Sequence, residues 1–308
     1  MKLIMLGLSS AGKTTFMAAL YHRMVEGVYD YTMRYDVFSN YWYKRYTLNN
    51  NLYSLDEARK EETELKTVSR NVTRGIYPPP TAIRQEYLFK FRYKNYNDIE
   101  FNWMDYRGGA LMERSDNSSD MRELTEKIKN SDALIVFLDG TKLEEPLEKN
   151  ERQFKRMVYL IKTAISSVTV ANDTYYPISF VLTKDDICSN VLDSEGFNFF
   201  YTNIIKDISE STKVAGMVTW ITVNKENIYN VHWPLFFSIN HCMHKFVEEV
   251  VSSYNRRENN RGFFDSIKEW WTDEDKNSTR NMLEQLQESH KKMSEALSDA
   301  NQKYLYLI

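Results

Sequence analysis

Cysteine is nearly absent from this chain of 308 residues, which carries only Cys188 and Cys242. Two are too few for a disulfide framework, and they lack metal-ligand spacing, so neither a secreted scaffold nor a zinc site is expected. Long apolar runs are missing too. Nothing approaches the roughly 18 residues that cross a bilayer, and the opening Met1 to Leu6 run is too short for a signal peptide, so a cytoplasmic location is expected. Neither sign of charge is in excess: 40 basic against 43 acidic side chains leave a net charge of −3. No global field would therefore recruit nucleic acid or an anionic membrane, and nucleic acid is not an expected partner. Glycine (10) and proline (6) are scarce while aromatic residues reach 14%, a composition that argues against extensive disorder.

What is present begins at the amino end. Lys2 to Leu6 is a short apolar run closed by Gly7, and Gly12 to Glu26 carries Phe16, Leu20 and Met24 at four-residue spacing, which predicts strand, glycine turn and helix. From Tyr29 to about Gly75 the apolar pattern weakens. Phe38, Trp42 and Tyr46 share one helical stripe ahead of a charged stretch from Asp56 to Lys66, and a helical insertion is expected over 29–75. The run Tyr77-Pro78-Pro79-Pro80-Thr81 must be extended, because each proline fixes φ and biases the residue before it away from helix.

Beyond that loop, Tyr87 to Tyr93 and Ile99 to Met104 alternate as two neighbouring antiparallel strands would. Ala133 to Leu138, Ile178 to Leu182 and Met217 to Val223 are short, nearly continuous apolar runs. Helical segments near Arg152 to Ser167, Phe197 to Ile208 and Leu235 to Ser253 lie between or after them. Buried parallel strands with helical crossovers account for this, giving an α/β fold of three layers, αβα, with a mostly parallel sheet. The polar stretch Asn255 to Arg261 reads as a linker. Two further helices are expected after it, Phe263 to Trp271 and Ser278 to Tyr304, so the division drawn is 1–257 and a helical appendage, 258–308.

Three motifs carry chemistry. Gly7-Leu8-Ser9-Ser10-Ala11-Gly12-Lys13-Thr14 fits the pattern G-x-x-x-x-G-K-[ST] and sits between a strand and a helix, as phosphate binding by main-chain amides requires. Gly7, Ser10, Ala11, Gly12, Lys13, Thr14 and Thr15 are the expected phosphate-binding residues. Lys13 would reach the β- and γ-phosphates, and the Thr14 hydroxyl would ligate Mg²⁺. Asp105 stands at the end of the second alternating strand in Asp105-Tyr106-Arg107-Gly108, where it can serve the metal while the Gly108 N–H meets the γ-phosphate. Asp139, at the end of the next strand, is its rival, and Asp193-Ser194-Glu195-Gly196 is a chance repeat of D-x-x-G in a polar stretch.

The third motif, Thr183-Lys184-Asp185-Asp186, follows an apolar strand. A carboxylate at Asp186 can accept two hydrogen bonds from N1–H and the exocyclic amine of guanine, with the Lys184 stem packed on the base. Thr141-Lys142-Leu143-Glu144 and Asn224-Lys225-Glu226-Asn227 both lack Asp at the fourth place.

In this order, with Thr81 between the first and second, the motifs resemble the signature of P-loop GTPases over roughly Met1 to Tyr254. The resemblance implies a P-loop NTPase fold that takes GTP or GDP with Mg²⁺. It makes Thr81 the switch threonine, assigns catalysis to Lys13, Thr81 and Gly108, and assigns the metal to Thr14, Thr81 and Asp105. Thr222-Val223-Asn224-Lys225 is a loose counterpart of the fifth guanine-contact segment. Small Ras-like GTPases carry a water-positioning Gln where this chain has Gly109, so intrinsic hydrolysis is expected to be slow; Arg74, Arg84 and Arg107 are candidates for an arginine finger in cis. The long insertion, the Pro-Pro-Pro-Thr element and Asp-Tyr-Arg-Gly-Gly also resemble the TRAFAC-clade double-GTPase domains of bacterial conflict and defence gene neighbourhoods.

A non-hydrolysing nucleotide-bound interaction module and an ATP-using P-loop enzyme with Asp139 as its acid remain as alternatives. In the tail, Phe263, Phe264, Ile267, Trp270 and Trp271 cluster at helical spacing, and Leu283, Leu286, His290, Met293, Leu297, Ala300 and Tyr304 form a heptad seam. That seam suits packing within the chain or pairing with a partner or second copy, with His290 as a seam residue rather than a catalyst.

Overall fold

The computed structural model describes residues 1–27, 31–79, 85–94, 98–105, 119–171, 176–210, 213–255 and 278–308. Its strands are β1 (Lys2–Gly7), β2 (Tyr31–Tyr35), β3 (Gln85–Tyr93), β4 (Ile99–Asp105), β5 (Ala133–Asp139), β6 (Tyr176–Thr183), β7 (Val214–Trp220), β8 (Thr222–Val223), β9 (Ile228–Tyr229) and β10 (Leu305–Leu307). The helices are α1 (Lys13–Val25), α2 (Val37–Trp42), α3 (Leu55–Val72), α4 (Ser119–Lys129), α5 (Gly140–Glu144), α6 (Leu147–Ala171), α7 (Glu195–Phe200), α8 (Lys206–Ser209), α9 (Trp233–Asn255) and α10 (Ser278–Ala300). Two π-helical turns, Tyr43–Thr47 and Tyr201–Ile205, continue α2 and join α7 to α8.

Eight strands form one sheet in the order β10-β7-β6-β5-β1-β4-β3-β2. The five central strands are parallel, and β3, β2 and β10 join antiparallel at the two sides. Helices cover both faces, which is why the central strands read as continuous apolar runs. Along β1, Leu3 and Met5 enter the core beneath α1, α3, α9 and α10, while Ile4 and Leu6 enter the core beneath α4, α6, α7 and α8; β5 divides Ile135 and Phe137 from Leu134 and Val136 in the same way. The three-layer αβα fold with a mostly parallel sheet is therefore present. Phe16 fixes α1 on the sheet, edge-on to Phe137 at 4.9 Å between ring centroids.

The insertion is not wholly helical. Its first described piece is β2, which pairs with β3 and alternates buried Tyr31, Met33 and Tyr35 with exposed Thr32 and Arg34. This five-residue alternation is short, and the helical stripe that dominates the segment starts only beyond Asp36, whose side chain accepts from Ser39 N at 2.7 Å to cap α2. Buried Asn40 then takes the place of a strand neighbour. It accepts from Leu88 N (2.8 Å) and donates to Leu88 O (2.7 Å), satisfying β3 where β2 has ended. Phe38, Trp42 and Tyr46 form the expected stripe, but they face solvent. A capping box of Ser54 and Glu57 opens α3, and Glu61 fastens that helix to the sheet by accepting from Tyr35 (2.8 Å), Tyr53 (2.6 Å) and Lys44 (2.6 Å).

The last helix stops at Ala300 rather than running to Tyr304. Gln302 turns the chain at φ 65°, Asn301 Oδ1 accepts from Leu307 N at 3.0 Å, and β10 completes the sheet beside β7. Helical spacing alone cannot distinguish Tyr304 on a seam from Tyr304 in a turn. Leu286, Met293, Leu297 and Ala300 point into the core shared with α1 and α9, so the described seam is satisfied within the chain. The boundary at 257/258 and the Phe263 to Trp271 cluster lie outside the described residues. Among the described residues, no helix is long and apolar enough to cross a membrane.

Candidate functional site

The site begins where β1 must come close to β5. A methyl group at Gly7 would lie 2.9 Å from Phe137 Cβ and 3.0 Å from Phe137 O, so only glycine allows the approach. The chain then turns tightly, with Ser10 at φ 63° and Gly12 at φ 84°, before α1 starts at Lys13. Left-handed backbone is strained for serine and natural for glycine.

Lys13 is buried and folds back over this loop, donating to Gly7 O (2.9 Å) and Leu8 O (3.1 Å). Burial pulls its ammonium below the ordinary lysine range, and the Asp105 carboxylate opposes that shift. The Thr14 hydroxyl donates to Asp105 Oδ2 at 2.8 Å, with Asp105 fully buried at the end of β4 beside Met5 of β1. A hydroxyl and a carboxylate oxygen at this separation are hard donors of the kind Mg²⁺ accepts from protein when phosphates complete its shell. Among the described residues no group of three or more His, Cys, Asp or Glu could hold a metal.

The second half is built at the end of β6. Buried Thr183 lies 3.7 Å from the position a Gly12 methyl would take, which brings the phosphate loop against the Thr183–Asp186 turn. Lys184 adopts φ 62°, and its ammonium donates to Asp139 Oδ2 at 2.6 Å. Asp186 Oδ2 accepts from Asn224 Nδ2 at 2.8 Å. Asn224 is itself held in a turn, its Oδ1 accepting from Glu226 N (3.0 Å) and Asn227 N (2.7 Å). Next to this pair, burial raises the carboxyl pKa of Asp185, with the charge of Asp186 adding to it.

One cavity of about 450 Å³ joins the two halves. It is lined by Ser9–Thr15, Tyr77, Pro78 and Pro79, by Thr183, Lys184, Asp186 and Ile187, and by Ile221 and Val223. That is within the range of about 300–1,000 Å³ for small-molecule sites. The structure thus brings Ser10, Ala11, Gly12, Lys13, Thr14, Thr15, Thr183, Lys184 and Asp186 to one space, with Asp105 behind Thr14 and Gly7 supporting the loop from below.

Both carboxylate oxygens of Asp139 are engaged. Its Oδ1 accepts from Thr141 N (3.1 Å) and Thr141 Oγ1 (2.7 Å) to cap α5, while its Oδ2 holds Lys184. The two remaining look-alikes are structural as well: Ser194 caps α7 within Asp193–Gly196, and Glu144 accepts from Ser189 N at 2.7 Å. Arg74 is exposed in the turn after α3 and is not among the cavity-lining residues. Thr81, Arg84, Arg107, Gly108 and Gly109 lie outside the described residues. Sequence reasoning missed the Asn224 contact, the Asp139 anchor and the apolar wall of Tyr77, Ile187 and Ile221. The Asn-Lys-Glu-Asn run carried a signal for the first of these, since Asn commonly closes turns through its own side chain.

No family model matches the chain, and no curated protein matches it. The solved structures it matches include two point mutants of S. thermophilus NFeoB, each bound to GDP and each 11% identical to this chain. The matches cover 96% and 95% of this chain and 91% and 90% of theirs, both with a TM-score of 0.35.

Proposed function

We propose that this protein binds GTP with Mg²⁺, hydrolyses it slowly, and works as a conformational switch. One observation carries this: a single cavity presents a phosphate loop with Lys13 and Thr14 at one end and, at the other, an acceptor carboxylate on Asp186 oriented by Asn224. The loop N–H groups at the start of α1 bind the phosphates. Lys13 exchanges its two carbonyl acceptors for phosphate oxygens, and Thr14 with Asp105 holds the metal side. Mg²⁺, when bound, neutralises charge on the β- and γ-phosphate oxygens. Hydrolysis is in-line attack by water, with Lys13 and the loop amides stabilising the charge that builds on the transferred group.

By the sequence resemblance, Thr81 and Gly108 meet the γ-phosphate, and their loops relax once it leaves. Gly109 in the glutamine place supports a low rate. A protein partner that reads this relaxation, and a place in bacterial defence, follow from the same resemblance. Against the ATP-using alternative stands the engagement of Asp139 by Thr141 and Lys184.

Calorimetry with GDP, GTP and ATP in magnesium tests the proposal. Guanine nucleotides should bind, ATP should not compete, and Lys13→Ala should abolish uptake. Asp186→Asn should move preference from guanine towards xanthine, since an amide donates where the carboxylate accepted. Equal competition by ATP, or no heat with folded protein, would sink the proposal. Single-turnover hydrolysis then separates a slow enzyme from a nucleotide-held interaction module.

A further inference from the structure

A second cavity, of about 370 Å³, is lined by α9, α10 and the start of β7. Val214, the first residue of β7, lines it, whereas Ile221, one place past the end of that strand, lines the nucleotide cavity. A strand rises about 3.3 Å per residue, so the two spaces stand roughly 20 Å apart, at opposite ends of the sheet.

The polar groups of this second cavity are Asn240, His241 and His244 from α9 with His290 and Ser294 from α10, and no described lining residue has an acidic side chain. Asn240 and Ser294 bind one another, Nδ2 to Oγ at 3.2 Å. His241 Nδ1 lies 3.0 Å from Phe237 O; a carbonyl only accepts, so Nδ1 carries the proton and Nε2 is left with its lone pair. His290 stacks on His244 at 5.0 Å between ring centroids, and among the described residues its ring nitrogens have no hydrogen-bond partner. Three imidazoles from two helices therefore share one space without a counter-charge.

Such a cluster resists protonation. Burial, with the charges of His244 and His241 adding to it, lowers the His290 pKa to about 4, and burial lowers that of His241. Those two histidines are the titratable groups that act on His290, and the sheet adds no titratable side chain to the wall. An anion removes the obstacle, since it supplies opposite charge and accepts from each N–H that protonation creates. Two imidazolium charges match a phosphate group, which carries about −1.5 to −2 near neutral pH, better than the single charge of a carboxylate.

We propose that this cavity is a second ligand site, which takes the phosphate group of a small molecule between His244 on α9 and His290 on α10 and draws protons onto the cluster as it binds. The site is independent of the guanine-nucleotide reading, and its occupant ties α10 to α9.

Histidine side-chain NMR on the full chain at pH 6.5 tests this with inorganic phosphate, glycerol phosphate, acetate and chloride at matched ionic strength. Phosphate in the nucleotide loop touches neither imidazole, so the readout is local. The His244 and His290 resonances should shift saturably with phosphate, and the His290 titration midpoint should rise by about one pH unit or more. Acetate should bind at least about tenfold more weakly. His290→Phe, and His290→Gln, which keeps a donor and takes up no proton, should each weaken phosphate at least about tenfold as read at His244. Either order of phosphate and glycerol phosphate supports the site and tells the free ion from an ester. The proposal is overturned by the absence of a saturable shift, by equal shifts with chloride, by acetate matching phosphate, or by a His244 shift that persists unchanged in both variants.

Discussion

Replacing Asp139 separates two roles of one buried carboxylate. Its side chain is 1% exposed; one oxygen caps α5 through Thr141 and the other anchors Lys184, which is 36% exposed. Asp139→Asn keeps the cap, because Asn and Asp are comparable at that position, and removes the charge; Asp139→Ala removes both. Lys184 can recover much of its solvation, so the ion pair contributes about 1 kcal/mol rather than the larger figure for a fully buried pair. The cap adds about 1 kcal/mol more. Asp139→Asn should therefore cost about 1 kcal/mol and Asp139→Ala about 2 kcal/mol, with midpoints lowered by about 2 °C per kcal/mol in a chain of this size. Nucleotide affinity should behave differently. Both variants free the Lys184 stem, so both should weaken GDP by a similar factor, about fivefold for 1 kcal/mol. Thermal unfolding beside GDP calorimetry reads the two effects. The reasoning is refuted if Asp139→Asn loses as much stability as Asp139→Ala, or if it binds GDP as wild type does.

Gly7→Ala should destabilise the fold by about 1–3 kcal/mol, because the new methyl meets Phe137 Cβ and the Phe137 carbonyl rather than a mobile side-chain tip; chemical denaturation measures it. Asn40→Ala should cost about 2–3 kcal/mol, since it strands both the N–H and the C=O of Leu88 beside the end of β2, and exchange of the Leu88 amide proton should quicken. The His290 imidazole, on α10, stacks on His244 of α9, and burial, with the charges of His244 and His241 adding to it, lowers its pKa to about 4. The folded state thus prefers neutral His290, and its contribution is complete above the unfolded value near 6.5 and lost as pH falls towards 4. His290→Phe should flatten stability against pH over that window; an unchanged slope would contradict the assignment. Part of the slope should persist in the variant, because burial also lowers the pKa of His232, to about 3.

The parts of the fold legible in the sequence were those where local pattern and burial agree. The β1 run, the Gly7–Thr14 turn and the doubly buried β5 and β6 are read from consecutive residues. So is the placement of Thr183–Asp186 at a strand end, and the structure brings that turn to the phosphate loop. What escaped depends on distant partners. Strand β2 is a five-residue alternation that needs β3, some 50 residues on, to become a strand. Strand β10 is the same case, its three residues given meaning only by β7. Asp139 stood as a rival to Asp105 because both carboxylates close a strand; its 2.6 Å contact with Lys184, 45 positions on, is not readable from local sequence. Asn224 headed a failed motif and also fell in the loose guanine-contact segment Thr222–Lys225, but its contact with Asp186, 38 positions away, was not legible.

Among the described residues that carry a Cβ, Ser10 and Lys184 hold left-handed backbone at the cavity wall, at φ 63° and 62°. Each such residue stores about 1–2 kcal/mol of conformational strain that glycine would release. A thermostability screen run without ligand would therefore favour glycine at Ser10 early. At Lys184 glycine would also break the ion pair and leave the buried Asp139 carboxylate without its cation, so there the strain is held by the same contact that keeps the Lys184 stem at the mouth of the pocket.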